Sequence, residues 1–119
     1  MRLTRQTDYA LRIMIYLSVH PEVWTPTPQI AQVYGISAHH VSKVAKDLVT
    51  RGYLSARRGQ AGGLQLAADP EALRVGDLVK TLEPSMDLLE CFNDATNQCC
   101  LSPVCGLKFG LMKAQRAFI

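Results

Sequence analysis

The stretch Tyr34-Gly35-Ile36-Ser37 constrains this chain more than any other, because it permits a sharp turn between two helices and little else. Gly35 can take the positive φ of a helix C-cap, Ile36 can pack where crossing helices meet, and Ser37 is a good N-cap for the next helix. On both sides apolar residues recur at helical spacing. Pro26 to Tyr34 predicts a short helix. Ala38 to Thr50 predicts a longer one, with Val41, Val44, Ala45 and Leu48 facing inward. A first helix is predicted from Thr4 to His20, with Leu3, Ala10, Ile13, Met14 and Leu17 on one side and Pro21 as its stop.

After Gly52 the period changes. Tyr53 to Arg58 suits a strand, Gly59-Gln60-Ala61-Gly62-Gly63 a turn, and Leu64 to Ala67 a returning strand. Helix, short helix, turn, helix and a glycine-tipped hairpin is the order of a winged helix-turn-helix. The expected fold is mainly α with a small β-hairpin wing, and the expected partner is double-stranded DNA. Ser37, Ala38, His39, His40, Ser42, Lys43 and Lys46 form the candidate reading surface. Ala38, His39 and His40, at the N-terminal end of the helix, are the candidates for base edges; Lys43, Lys46 and Arg51 suit phosphates, which position without specifying. Arg57, Arg58 and Gln60 belong to the wing, from which an arginine can enter a minor groove. The bland alternative is a solvated basic helix and hairpin on any small domain.

Charge is divided along the chain in a way that fits this reading. Residues 1–66 carry eight Lys or Arg against three Asp or Glu, leaving +5; residues 67–107 carry two against seven, leaving −5; the last twelve add three positive charges and restore +3. A basic front suits an anionic partner. The apolar fraction of 48% argues against disorder, and no apolar run is long enough to span a membrane. The N-terminus reads as no signal peptide, so the expected compartment is the cytoplasm.

Beyond the wing, Pro70 to Glu83 predicts one or two helical turns, Glu90 to Pro103 a loop, and Leu107 to Ile119 a helix with Leu107, Leu111, Ala114 and Phe118 on one side. That helix stops uncapped on an apolar residue, so it is expected to run on in a longer parent chain. The expected division is 1–68 for DNA binding, 69–90 as a connecting helical segment, 91–105 as a cysteine loop and 106–119 as the start of a C-terminal helix.

All four cysteines lie in the 15 residues from Cys91 to Cys105. Thiols clustered in a reducing cytosol suggest metal binding or redox chemistry rather than a disulfide scaffold. Cys91, Cys99 and Cys105 are separated by seven and then five residues, and neighbours such as Cys99 and Cys100 rarely ligate one centre together. Structural zinc favours thiolates in closer pairs, whereas wide spacing around a loop suits an iron–sulfur cluster with one iron position left for another ligand. Zinc and free thiols stay open as alternatives. A thioredoxin-type pair is absent, and His20, His39 and His40 lie far along the chain from the thiols, so no enzyme is expected. An electron carrier would have no use for a basic recognition helix.

The opening Met1-Arg2-Leu3-Thr4-Arg5-Gln6-Thr7-Asp8-Tyr9-Ala10-Leu11-Arg12, the stretch Ile36 to Ala67 with Arg58-Gly59-Gln60-Ala61-Gly62-Gly63 in it, and the loop closing on Pro103-Val104-Cys105 together resemble NsrR-like nitric-oxide-sensing repressors. These sit with IscR and RirA in a group of iron–sulfur winged-helix regulators. The resemblance implies a homodimer joined by a long C-terminal helix, a palindromic operator, and a cluster, 4Fe-4S favoured over 2Fe-2S. By position, Cys91, Cys99 and Cys105 are the implied ligands, with Cys100 an addition to the pattern. IscR-like proteins use a histidine shortly after the last cysteine; Gly106-Leu107-Lys108-Phe109 stands here instead. NsrR-like proteins use an acid in the first helix of the other protomer, which implies the partner subunit's Asp8. Read without any family, Asp8 merely favours the positive end of a helix dipole. An iron- or redox-responsive regulator of the same fold, or a zinc-stabilised DNA-binding protein, is the alternative function.

Overall fold

A computed structural model describes residues 3–119; Met1 and Arg2, which open the motif quoted above, lie outside the described residues. The chain forms two compact units, Thr4–Leu73 and Arg74–Ile119, the latter taking in Leu3.

In the first unit, helix α1 spans Arg5–Val19. Thr4 caps it, its hydroxyl accepting the Thr7 N–H at 3.3 Å, which satisfies one of the amides left over at a helix start. Thr7, Ala10, Ile13, Met14 and Leu17 are buried, the three-and-four spacing of a one-faced helix. Leu3, predicted on that stripe, precedes the cap and is not part of the helix. Helix α2 is Thr27–Tyr34, with Pro26 in the cap position rather than inside. Gly35 then takes φ 63°, and the Ile36 N–H reaches back to the Ala31 carbonyl at 3.0 Å. This left-handed stop, tolerated best by glycine, aims the chain into α3.

Helix α3 spans Ala38–Thr50 as the sequence predicts, with Val41, Val44, Ala45 and Leu48 buried. Strands β1 (Leu54–Arg57) and β2 (Gly63–Leu66) pair antiparallel, Leu54 opposite Leu66 and Arg57 opposite Gly63. Strand β1 is shorter than the expected Tyr53–Arg58, and β2 keeps the expected length but begins one residue earlier, at Gly63. Tyr53 and Ala67 lie just beyond the ladder, the Tyr53 carbonyl accepting the Ala67 N–H at 3.0 Å. Thr25, in the α1–α2 connection, also pairs with β2. Its N–H donates to the Leu64 carbonyl at 2.9 Å and its carbonyl accepts the Leu64 N–H at 2.8 Å. Buried Leu54 and Leu64 carry the hairpin onto the core.

Glycine is required at two close approaches, one to Thr25 and one within the hairpin itself. Gly63 has φ 148°, and a Cβ there would stand 2.4 Å from the Thr25 backbone; one at Gly62 would stand 2.2 Å from the Arg57 carbonyl oxygen.

A single 3₁₀ turn, Pro70–Ala72, ends the first unit. Extended backbone at Leu73 and Arg74 separates it from α4 (Val75–Leu82), so the predicted Pro70–Glu83 segment is two pieces. Gly76, Leu78, Val79 and Leu82 are buried. The cysteine loop has its own local order. A 3₁₀ turn covers Glu90–Phe92, Asn93 and Asn97 accept the amides of Ala95 and Cys99 at 3.1 and 3.0 Å, and the Glu90 carboxylate accepts the Gln98 N–H at 2.7 Å. The two asparagine bonds are Asx-type turns, the use to which short polar side chains are put where periodicity fails, and the Glu90 bond closes the loop over a longer span.

Helix α5 spans Gly106–Phe118. The apolar side that carries Leu107 and Phe118 is not buried: Leu107 is 66% and Phe118 41% exposed, and no residue of the helix is buried. No helix among the described residues is long and apolar enough to cross a membrane.

Gly63→Ala forces a side chain into the Thr25 backbone and into a strained dihedral. It should destabilise the protein by about 2–4 kcal/mol; a denaturation midpoint equal to that of the wild type would contradict this placement of the wing.

Candidate nucleic-acid interface and cysteine loop

The α1–α2–α3 packing turns one face of α3 outward. Ser37, Ala38, His39, His40, Ser42, Lys43 and Lys46 are all exposed. His39, Ser42, Lys43 and Lys46 repeat at three and four residues, which puts them on one side of the helix. Their side chains make no hydrogen bond or ion pair among the described residues and are free to bind. Ser37 and His40 are less free than the sequence suggests. The Ser37 hydroxyl lies 2.8 Å from His40 Nδ1 and accepts the His40 N–H at 3.3 Å. The His40 ring also lies 6.2 Å from Tyr9 of α1. This pair shapes the start of the helix, leaving His39 and Ser42 as the more available polar side chains.

Arg57, Arg58 and Gln60 are exposed on the wing. The Arg57 guanidinium sits 5.5 Å from the centre of the Trp24 ring, a cation–π distance that orients the side chain without neutralising it. Arg58 has no hydrogen bond or ion pair among the described residues. Sequence reading passed over Trp24; a lone tryptophan directly before the Thr25-Pro26 pair was the available signal. It also missed Asp47, whose carboxylate accepts from Gln6 Nε2 of α1 at 2.7 Å and from Arg51 Nε at 2.9 Å. Arg51 is thereby ion-paired, which makes it a poorer phosphate contact than Lys43 or Lys46.

Asp8 lies in the first turn of α1, and its carboxylate accepts from Arg12 Nε at 3.0 Å. That hydrogen bond and the charge beside it push the Arg12 pKa above its ordinary value. The Arg12 guanidinium also lies 5.8 Å from the Tyr34 ring. In this structure Asp8 is a half-exposed member of an i, i+4 ion pair.

The four thiols are free: Cys91 is buried in the Glu90–Phe92 turn, Cys99 and Cys100 are exposed, and Cys105 is half-buried at the start of α5. Cys105 Sγ accepts the Lys108 N–H at 3.4 Å, and Lys108 Nζ donates to the buried Ser102 hydroxyl at 2.8 Å. These bonds fix the last thiol against the helix. As a donor set, three separated sulfurs on one loop fit an iron–sulfur cluster better than zinc. The loop conformation does not gather them: among the described residues no three His, Cys, Asp or Glu stand together so as to hold a metal ion. Asp8 belongs to the first unit and the cysteines to the second.

A compact head of three helices, the third of them basic on its exposed face, and a hairpin wing define a winged-helix DNA-binding regulator. Residues 3–119 match the Rrf2 family, described as iron-dependent transcriptional regulators, and the chain belongs to that family. It is 41% identical over 120 residues to the HTH-type transcriptional regulator NsrR of Bacillus subtilis (strain 168), covering 100% of this chain and 82% of that protein. Against NsrR of Shouchella clausii the identity is 40% over 120 residues, covering 100% and 80%. Among solved structures, CymR, the global cysteine regulator of B. subtilis, superposes with a TM-score of 0.69 at 31% identity, covering 76% of this chain and 70% of that one. A transcriptional regulator from Listeria innocua gives 0.76 at 26% identity, covering 98% and 76%. IscR of T. potens, at 22% identity and a TM-score of 0.73 over 99% and 77% of the two chains, shares the fold. These relatives are transcriptional regulators, not enzymes, and so is this chain.

Ser37→Ala removes the α3 cap and the restraint on His40. It should lower stability by about 1 kcal/mol, read as a shift in denaturation midpoint; no shift would mean that the Ser37 hydroxyl does not hold the helix start.

Proposed function

We propose that this regulator is a repressor that releases DNA in response to nitric oxide, through an iron–sulfur cluster held by Cys91, Cys99, Cys105 and the partner subunit's Asp8. The observation that carries the reading is a loop with three separated free thiols in a chain 41% identical along its whole length to a regulator named NsrR. The cluster is 4Fe-4S rather than 2Fe-2S, and when bound it supplies iron that reacts with nitric oxide. The protein works as a cytoplasmic homodimer on a palindromic operator and controls nitrosative-stress genes. In this reading residues 1–68 bind DNA, 69–90 connect, 91–105 hold the cluster and 106–119 begin the dimerisation helix, for which the uncovered apolar side of α5 is suited.

The chain's own residues have defined tasks. His39 and Ser42, with Ala38, meet base edges, while Lys43 and Lys46 hold phosphates and Arg58 and Gln60 follow the wing toward the minor groove. Two α3 helices must stand about 34–36 Å apart to enter successive major grooves of one operator. Arg12 retains the Asp8 carboxylate whenever it is not used elsewhere, and an exposed i, i+4 pair is weak enough to be exchanged. Moving a repressor from 99:1 to 1:99 occupancy requires about 5.5 kcal/mol of difference between the two states, so the DNA-binding form must depend strongly on the order of the cysteine loop.

The family's description as iron-dependent favours a second reading of the same site, in which iron supply is the signal. Anaerobic reconstitution with iron and sulfide, then titration with nitric oxide followed by absorbance and DNA retardation, separates the two. Release of DNA at low nitric oxide with iron in excess supports the first; release only on iron removal supports the second. Asp8→Ala should keep a bound cluster but alter its visible spectrum or its nitric-oxide response, and an unchanged response removes Asp8 from the mechanism. Cys100→Ala should keep full iron and sulfide loading, measured per protomer; a collapse in loading would make Cys100 the ligand instead of Cys99.

A further inference from the structure

We propose that the groove between α1 and α3 seats the phosphodiester backbone of DNA, with Arg5 as a phosphate contact contributed from outside the recognition helix. The groove is a cleft of about 520 Å³, bordered on α1 by Arg5, Gln6 and Tyr9 and on α3 by Lys43, Lys46 and Asp47. Three of these six are cations from two different helices. None of the three has an ion-pair partner among the described residues, since the two recorded pairs are Arg12–Asp8 and Arg51–Asp47. Three positive charges against the single Asp47 leave the cleft at +2. That one acid is already occupied, by Gln6 at 2.7 Å and Arg51 at 2.9 Å. Unpaired cations converging on a cleft raise the local concentration of an anion there.

The occupant follows from position. Lys43 and Lys46 line the cleft and also belong to the outward face of α3, so the cleft is continuous with the DNA-reading surface. A duplex read by His39 and Ser42 brings its backbone along the flank of the same helix, where Arg5 waits on α1. The Gln6–Asp47 bond ties the two walls together, so that α1 and α3 present their cations at a set spacing. Because Arg5 stands beside the recognition helix and not on it, its contribution is to grip and register rather than to sequence. The inference rests on DNA binding alone and is independent of what the cysteine loop holds.

The test uses the full chain and two duplexes of equal length: one selected by the wild type from a random pool, and a scrambled version. Binding is measured by fluorescence anisotropy across a salt series. Arg5→Gln should weaken both duplexes by the same factor, roughly three- to tenfold, and reduce the slope of log K against log[salt] by about 0.9. Arg5→Lys should retain the wild-type slope. An unchanged slope for Arg5→Gln, a loss confined to the selected duplex, or an equal defect in Arg5→Lys would overturn the proposal. A wild type that binds neither duplex is a separate failure, of DNA binding itself.

Discussion

Two hydrogen bonds between Thr25 and Leu64 govern the geometry of the DNA-binding unit. They turn a two-stranded hairpin, which is marginal by itself in water, into an extension of the connection between α1 and α2. Through them the wing is registered against the helices rather than left to swing from the end of α3. The approach is tight enough that only a residue without a side chain fits at Gly63. Everything carried by the wing, Arg57, Arg58 and Gln60 included, inherits its direction from that bridge.

The helices rest on a second tie of a different kind. Buried apolar faces of α1 and α3 set their packing, while the exposed Gln6–Asp47 bond and the Tyr9–His40 ring contact join the same helices at their rim. Packing fixes how close the helices come. The rim contacts act on how they are rotated, and therefore on which α3 residues face outward. Ser37 adds to the rim, as the cap of α3 and as the partner of His40.

Local chemistry was readable from the residues, and long-range pairing was not. The bounds of α3 follow from Gly35 and Ser37, whose roles depend only on neighbours, and its inward face follows from spacing alone. The wing is equally legible in its glycines. The Thr25–Leu64 bridge, the Arg57–Trp24 contact and the Gln6–Asp47 bond join residues distant in the chain, and no periodicity announces them. For α5 the stripe of apolar residues is plain, but a stripe does not say what covers it; here Leu107 and Phe118 stay in contact with water. The cysteine loop shows the same limit. Its donor types were legible, but the arrangement of the thiols is a property of loop order, to which Asn93, Asn97 and Glu90 contribute by binding backbone amides.

The contact between Arg57 and Trp24 gives the molecule an intrinsic optical reporter. The chain holds a single tryptophan, and it lies under an arginine of the wing. Indole emission responds to a cation over the ring and to the water around it. A displacement of Arg57 from the ring changes the emission of one indole per chain, which excitation at the red edge of the absorption band separates from the four tyrosines. The posture of the wing can therefore be followed in solution, label-free and in real time.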